Sequence, residues 1–202
     1  MTFSRRAVLA AGATGTLALT AGCLDVVLGN GPLEFDAGRV APTDDAVATA
    51  GYQESDVSDE TIERTVELPG GVEREARATI WQSTYTKAVD YAGQTREGAA
   101  FVGVSIPGMQ VAGQSLNPLG ELSNTELLER FLGQLPSDHG ELSGVTHKES
   151  FGLEILGDGR TVDLFVGTTD LEGETIEIEL KLTSFDHEGD LLVLLGTYPK
   201  LL

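Results

Sequence analysis

One cysteine, Cys23, is all the thiol the 202-residue chain has, so an internal disulfide is excluded. Lysine is scarce, with Lys87, Lys148, Lys181 and Lys200 set against 32 acidic residues. The three histidines, His139, His147 and His187, stand in separate segments rather than at the fixed offsets that metal ligands on one element require. No Gly-x-Ser-x-Gly elbow is present, and with Cys23 near the N-terminus no Cys/His pairing suggests itself. Gly157-Asp158-Gly159 leads into a β-rich run instead of a helix, which excludes a phosphate loop. The longest apolar stretch, residues 7–24, is diluted by Gly12, Gly15 and several threonines. A membrane-spanning helix, the alternative for this stretch, needs about 20 strongly apolar residues.

What that stretch offers instead is an export signal. Ser4-Arg5-Arg6-Ala7-Val8-Leu9 places paired arginines directly before the apolar run, the mark of twin-arginine export, with Val8 where phenylalanine is usual. Leu19-Thr20-Ala21-Gly22-Cys23 follows, and its small residues before a cysteine resemble a lipobox, with Thr20 in place of the usual aliphatic residue. The expectation is cleavage before Cys23 and attachment to the membrane by lipid on its sulfur. A single acyl chain anchors only marginally. No basic patch follows Cys23, so the lipid itself has to suffice. Residues 1–22 read as signal, 23–32 as a tether broken by Gly29, Gly31 and Pro32, and 33–202 as one domain.

The formal charge of −19 opposes binding to nucleic acid and to anionic headgroups. Loss of residues 1–22 would remove Arg5 and Arg6 and no acid, making the mature chain more negative still. Such self-repulsion is costly in dilute buffer, but at 1 M salt the Debye length is only about 3 Å. Acid excess, scarce lysine, folded export and a lipobox together look like an extreme halophile of the archaea. An ordinary acidic secreted domain is the alternative.

Along the domain, Leu33–Asp36 alternates as a short strand, and Thr43 caps a small helix over residues 44–50 with Gly51 just beyond it. Runs 61–68 and 72–91 flank Pro69-Gly70-Gly71 as a hairpin. The apolar phase changes between Ala76, Ala78, Ile80 and Trp81, Tyr85, Val89, which predicts a bulge near Ile80–Trp81. A helix through Ala78, Trp81, Tyr85 and Ala88 competes with this, and the β-branched Thr79, Ile80, Thr84 and Thr86 favour the strand. Residues 99–106 form a strand. Ser123 and Glu126 then make a capping box ahead of an apolar stripe, Leu128, Phe131, Leu132 and Leu135. Strands over 147–156, 161–166, 176–182 and 191–195 follow, with a further short run at 170–173 and turns at 157–159 and 186–190. The fold class is therefore α+β, an antiparallel sheet of about 6–8 strands with two short helices, an α/β/α sandwich being one way to layer it.

This layout, with Gly113-Gln-Ser-Leu-Asn117-Pro118 before the second helix and a Gly-Asp turn before a last strand ending Tyr198-Pro199, resembles a haloarchaeal lipoprotein family of unknown function. The final meander also resembles the extrinsic photosystem II protein P superfamily, α/β/α sandwiches of accessory proteins.

Candidates for chemistry are few. His139 sits in a turn-like loop with Asp138 and Glu141 nearby, a solvated loop before it is a ligand cluster. Asp186, Glu188 and Asp190 alternate as in a calcium loop, but Gly189 falls at the wrong step and Thr197 stands where a closing glutamate belongs. Trp81, Tyr85 and Tyr91 could line a groove or simply fill the core. With no convergent reactive groups, no cofactor and no metal site to name, the reading is a non-catalytic accessory or binding module at the cell surface with a membrane protein as its partner class. The alternative is a surface hydrolase or solute-capturing protein using carboxylates.

Overall fold

A computed structural model describes residues 31–68, 70–91, 94–111, 113–132, 142–171 and 174–200. Arg5, Arg6, Cys23, Leu135 and His139 lie outside the described residues, as does the side chain of Tyr91. In chain order the elements are β1 (Leu33–Asp36), α1 (Asp44–Ala50), β2 (Gln53–Leu68), β3 (Val72–Tyr91), β4 (Gln94–Pro107), β5 (Gln110–Val111), β6 (Gln114–Ser115), α2 (Asn124–Leu132), β7 (Ser143–Ile155), β8 (Asp158–Leu171), β9 (Glu174–His187) and β10 (Asp190–Pro199). Eight strands form one sheet in the order β1-β3-β4-β10-β9-β8-β7, with β2 also paired to β3, and β5-β6 form a separate two-stranded ribbon. The sheet is largely antiparallel and carries two short helices, as the sequence pattern predicts. Residues 63–77, the outer ends of the β2–β3 hairpin, group with residues 31–34 as one compact unit, and residues 35–62 and 78–200 form the other.

Within the larger unit the register assigns every side chain to a face. Phe101 opposes Tyr85 and Gly196, while Val102, Val104 and Ile106 point the other way, opposite Leu195, Val193 and Leu191. The second face holds the main core. Leu127 and Leu128 of α2 pack there with Val104, Ile106, Phe165, Leu180, Leu182, Leu191 and Val193. The capping box forms as its spacing predicts: Ser123 N donates to Glu126 Oε2 at 2.8 Å and Glu126 N to Ser123 Oγ at 3.3 Å. Leu127, one step off the expected stripe, is fully buried, because α2 meets a broad sheet rather than a narrow seam. On the opposite face lies α1, so each face carries one helix.

Two expectations change. Against β4, where the register is followed from Trp81 onward, the bulge falls between Lys87 and Ala88, and Gly98 is the extra residue of β4. The phase change at 80–81 arises because both faces are covered: Ile80 packs toward α2, and Tyr85 faces α1. The second change is length. β2 begins at Gln53, eight residues before its apolar pattern, and β8 runs unbroken from Asp158 to Leu171. Backbone pairing carries these strands through segments with no alternation. Tight turns join the C-terminal hairpins, with positive φ at Leu156 and Gly157 and at Glu188 and Gly189, one residue from where the first was expected.

Candidate functional site

A cleft opens between α1 and the sheet, lined by Pro42, Ala46, Val47, Ala50, Tyr52, Tyr85 and Phe101, with a volume of about 220 Å³. Its walls follow from local sequence. Thr43 Oγ1 accepts from Ala46 N at 3.3 Å, and two acids, Asp44 and Asp45, sit in the first turn against the helix dipole. At the other end Gly51 takes φ 73°. Tyr52 N donates to Val47 O and Gly51 N to Ala48 O, a Schellman closure. That motif brings the residue after the glycine back over the last turn, which sets Tyr52 beside Val47. Despite this careful capping, no residue of α1 is buried. Seven residues cannot hold a helix alone, so α1 depends on a sheet it does not fully close upon.

The floor is aromatic. Tyr85, 3% exposed, and Phe101 lie 6.1 Å apart at a tilt of 45°. The Tyr85 hydroxyl donates to Glu54 Oε2 at 3.1 Å, and Arg39 Nη2 reaches that hydroxyl at 3.5 Å. Arg39 Nη2 also pairs with Glu54 Oε2 at 2.5 Å, and its Nε donates to the buried Ser83 Oγ at 3.3 Å. The Tyr85 hydroxyl bond raises the pKa of the Arg39 guanidinium, and Glu54 adds to this, so the group is a permanent cation. Burial pushes the Tyr85 phenol up, which keeps it a neutral donor. At the far side Lys87 Nζ donates to Ala50 O at 2.7 Å and lies 5.8 Å from the centre of the Tyr52 ring. Burial, and then the nearby Tyr198, raise the Tyr52 phenol as well. The cleft is thus apolar, and two cations bond residues of its wall: the Arg39 guanidinium reaches the Tyr85 hydroxyl and the Lys87 ammonium the Ala50 carbonyl.

Other sequence candidates resolve differently. Tyr85 lines the cleft, and Trp81 is half-buried on the same face of β3. Asp190 is spent on structure, accepting from Gly38 N at 2.7 Å and from Ser105 Oγ at 3.4 Å. Among the described residues no cluster of three histidine, cysteine or acidic side chains could hold a metal ion. Asn117 turns the chain into α2, its Oδ1 accepting from Leu119 N at 3.0 Å.

One polar group was not foreseen. Asp163 accepts from Asn124 Nδ2 at 2.8 Å and from Ser150 Oγ, and His147 Nε2 lies 3.2 Å from both Asp163 Oδ1 and Ser150 Oγ. Serine, histidine and aspartate therefore meet, yet not as a triad. A triad acid holds one ring nitrogen while the other takes the serine proton. Here the same Nε2 faces both partners, and the Ser150 hydroxyl donates its hydrogen bond to the carboxylate. His147 also stands edge-on to Phe165, ring centres 5.3 Å apart. Burial raises the Asp163 carboxyl, but bonds from Ser150, Asn124 and His147 together outweigh it and hold it below the usual range. The carboxyls of Glu126 and Glu177 are likewise lowered, the opposite of what a general acid needs.

Among curated proteins none matches the chain. Solved structures with distant likeness include the following two. The protein of unknown function PA94 from Pseudomonas aeruginosa is 15% identical, with TM-score 0.31 over 68% of this chain and 83% of its own. LpqN of Mycobacterium tuberculosis, a protein involved in cell envelope biogenesis, is 11% identical, with TM-score 0.28 over 81% of this chain and 87% of its own. No described helix is long and apolar enough to cross a membrane. The family model named DUF6517, a domain of unknown function, matches residues 39–202, a span that holds every side chain of the cleft, and the chain belongs to that family.

Proposed function

We propose that the chain is a non-catalytic binding module of the cell surface, exported by the twin-arginine route, tethered by lipid on Cys23, and capturing a small apolar group beneath α1. The cleft is the observation that carries the binding part. It is apolar and about 220 Å³, beside the roughly 150 Å³ that suffices for a benzene ring in a protein interior. It is too small for a drug-sized ligand, whose pockets begin near 300 Å³. The occupant is therefore a single ring or a short branched chain. The address rests on Arg5, Arg6 and Cys23, and the acidic composition suits a halophile's medium.

Binding is tested by titrating toluene into the full chain in molar KCl and following the methyl and ring resonances of Ala46, Val47 and Phe101. Saturable shifts in those residues, lost in Ala46→Phe, are expected. Toluene that leaves them unmoved would sink the binding reading. Tethering is tested by fractionation: wild type is expected with membranes and Cys23→Ser in the soluble fraction. A membrane protein recovered with wild type but not with Cys23→Ser would identify the accessory's partner. Equal membrane association of the two forms would overturn the lipid anchor.

A further inference from the structure

We infer that the group taken up in the cleft carries a carboxylate, which the Arg39 fork and the Tyr85 hydroxyl receive, and that Glu54 occupies the position of that carboxylate until the ligand arrives. This rests on the binding reading above and adds the chemistry of the ligand's polar end. Its basis is the arrangement around the hydroxyl of Tyr85, a residue that lines the apolar cleft. Glu54 Oε2 accepts from Arg39 Nη2 and from the Tyr85 hydroxyl together, so a donor from the β1–α1 connection and one from β3 converge on one carboxylate oxygen. A guanidinium carries five N–H donors in a fixed fork and matches a carboxylate in two-pronged fashion. Glu54 uses that fork through one oxygen only, and its side chain is 48% exposed, while that of Arg39 is 40% exposed.

An exposed ion pair of this kind contributes little, and long flexible side chains hold it at an entropic cost. Glu54 can therefore swing out to solvent cheaply. An incoming carboxylate tied to an apolar ring would take the same donors and gain the burial of its ring on Tyr85 and Phe101. The Arg39 Nε bond to buried Ser83 keeps the fork in place meanwhile. The overall charge of −19 would repel such an anion in dilute buffer. At 1 M salt the repulsion reaches only about 3 Å, so the local cations decide. Lys87, at the helix C-terminal side of the slot, adds a second positive charge.

The test uses the full chain with Cys23→Ser, which needs no detergent, titrated in molar KCl with toluene and with benzoate. Wild type, Arg39→Gln and Glu54→Gln are compared by the cleft resonances, with circular dichroism as a check on folding. Arg39→Gln should weaken benzoate about tenfold or more and leave toluene within twofold, a tenfold change being about 1.4 kcal/mol. Glu54→Gln should tighten benzoate and leave toluene unchanged. If both probes bind and neither substitution separates them, the carboxylate inference is wrong and the apolar cleft stands. If neither probe binds, the binding reading itself fails. Should Arg39→Gln not fold, Glu54→Gln decides alone: tighter benzoate supports the inference, and unchanged benzoate overturns it.

Discussion

Gly98 shows how one missing side chain shapes this molecule. It is the unpaired residue of the bulge in β4, and a Cβ built there would lie 2.2 Å from Val89 Cγ2 and 3.4 Å from Pro199 Cγ. Real contacts of that kind do not occur, so Gly98→Ala must push Val89 from its buried place or break the bulge. Overpacking of this sort costs about 1–3 kcal/mol. The clash is with one branch of one side chain, which makes the cause separable. In the double variant Gly98→Ala/Val89→Ala the two costs should fall short of their sum by 1 kcal/mol or more in urea melts, about the coupling expected of touching residues. Simple additivity would mean that the glycine is needed for its backbone and not for the space beside Val89. Gly108 differs in kind, since its built Cβ meets the backbone oxygen of Gly189 at 2.0 Å. No side-chain truncation relieves that contact, so Gly108→Ala should destabilise without rescue.

At the scale of elements, Asp163 joins three of them: Asn124 opens α2, Ser150 and His147 belong to β7, and Asp163 itself lies in β8. Asn124 extends the link to β9 by accepting from Ser184 Oγ at 2.7 Å. The Asp163 carboxyl is held below the usual range in the folded state. Its contribution is therefore complete above the unfolded value of about pH 4 and is lost as pH falls through the lower folded value. Asp163→Asn should cost about 1–3 kcal/mol at pH 6, and the gap to wild type should shrink at pH 3 and below. A gap independent of pH would show that shape, not charge, is what the position supplies. α2 gives a simpler case, since Ser123→Ala removes the hydroxyl that accepts from Glu126 N and donates to Glu126 Oε2, and should cost about 1 kcal/mol in the same melts. These two examples mark what the sequence made legible. Capping boxes, glycine turns and the strand pairs around them are local, and they were placed closely. The meeting of Ser150, His147 and Asp163 depends on two bulges in the β7–β8 register, between Ser143 and Thr146 and between His147 and Glu149, which no pattern announces. The cleft was half legible: Tyr85 and the capped helix were visible, but Glu54 lies in an acidic run with no apolar alternation to reveal a strand, and nothing local ties Arg39 to it.

For the molecule as a whole, the balance of charge sets the conditions under which these contacts matter. The sheet's long strand β2 carries Glu54, Asp56, Asp59, Glu60, Glu63 and Glu67 against one basic residue, Arg64, and most of its positions are exposed. Where its charges are unscreened such an edge resists pairing with a second copy, because like charges would face each other along its length. The same feature makes the folded state costly when unscreened, since −19 charges are brought close on folding. Ion pairs such as Arg77–Glu63 and Lys200–Glu177 compensate for few of them and are themselves exposed. Salt acts on these two terms in opposite directions. It weakens the few attractive pairs slightly and removes a much larger number of repulsions, so its net effect must be stabilising. Circular dichroism on dilution from 3 M KCl toward 10 mM should show cooperative loss of sheet signal, with the urea midpoint rising steadily with salt. Sucrose, which strengthens burial without screening, should rescue the fold far less well than KCl of equal effect on water activity. Equal rescue by sucrose would assign the salt requirement to hydration, and a signal unchanged down to 10 mM would remove the halophilic reading altogether.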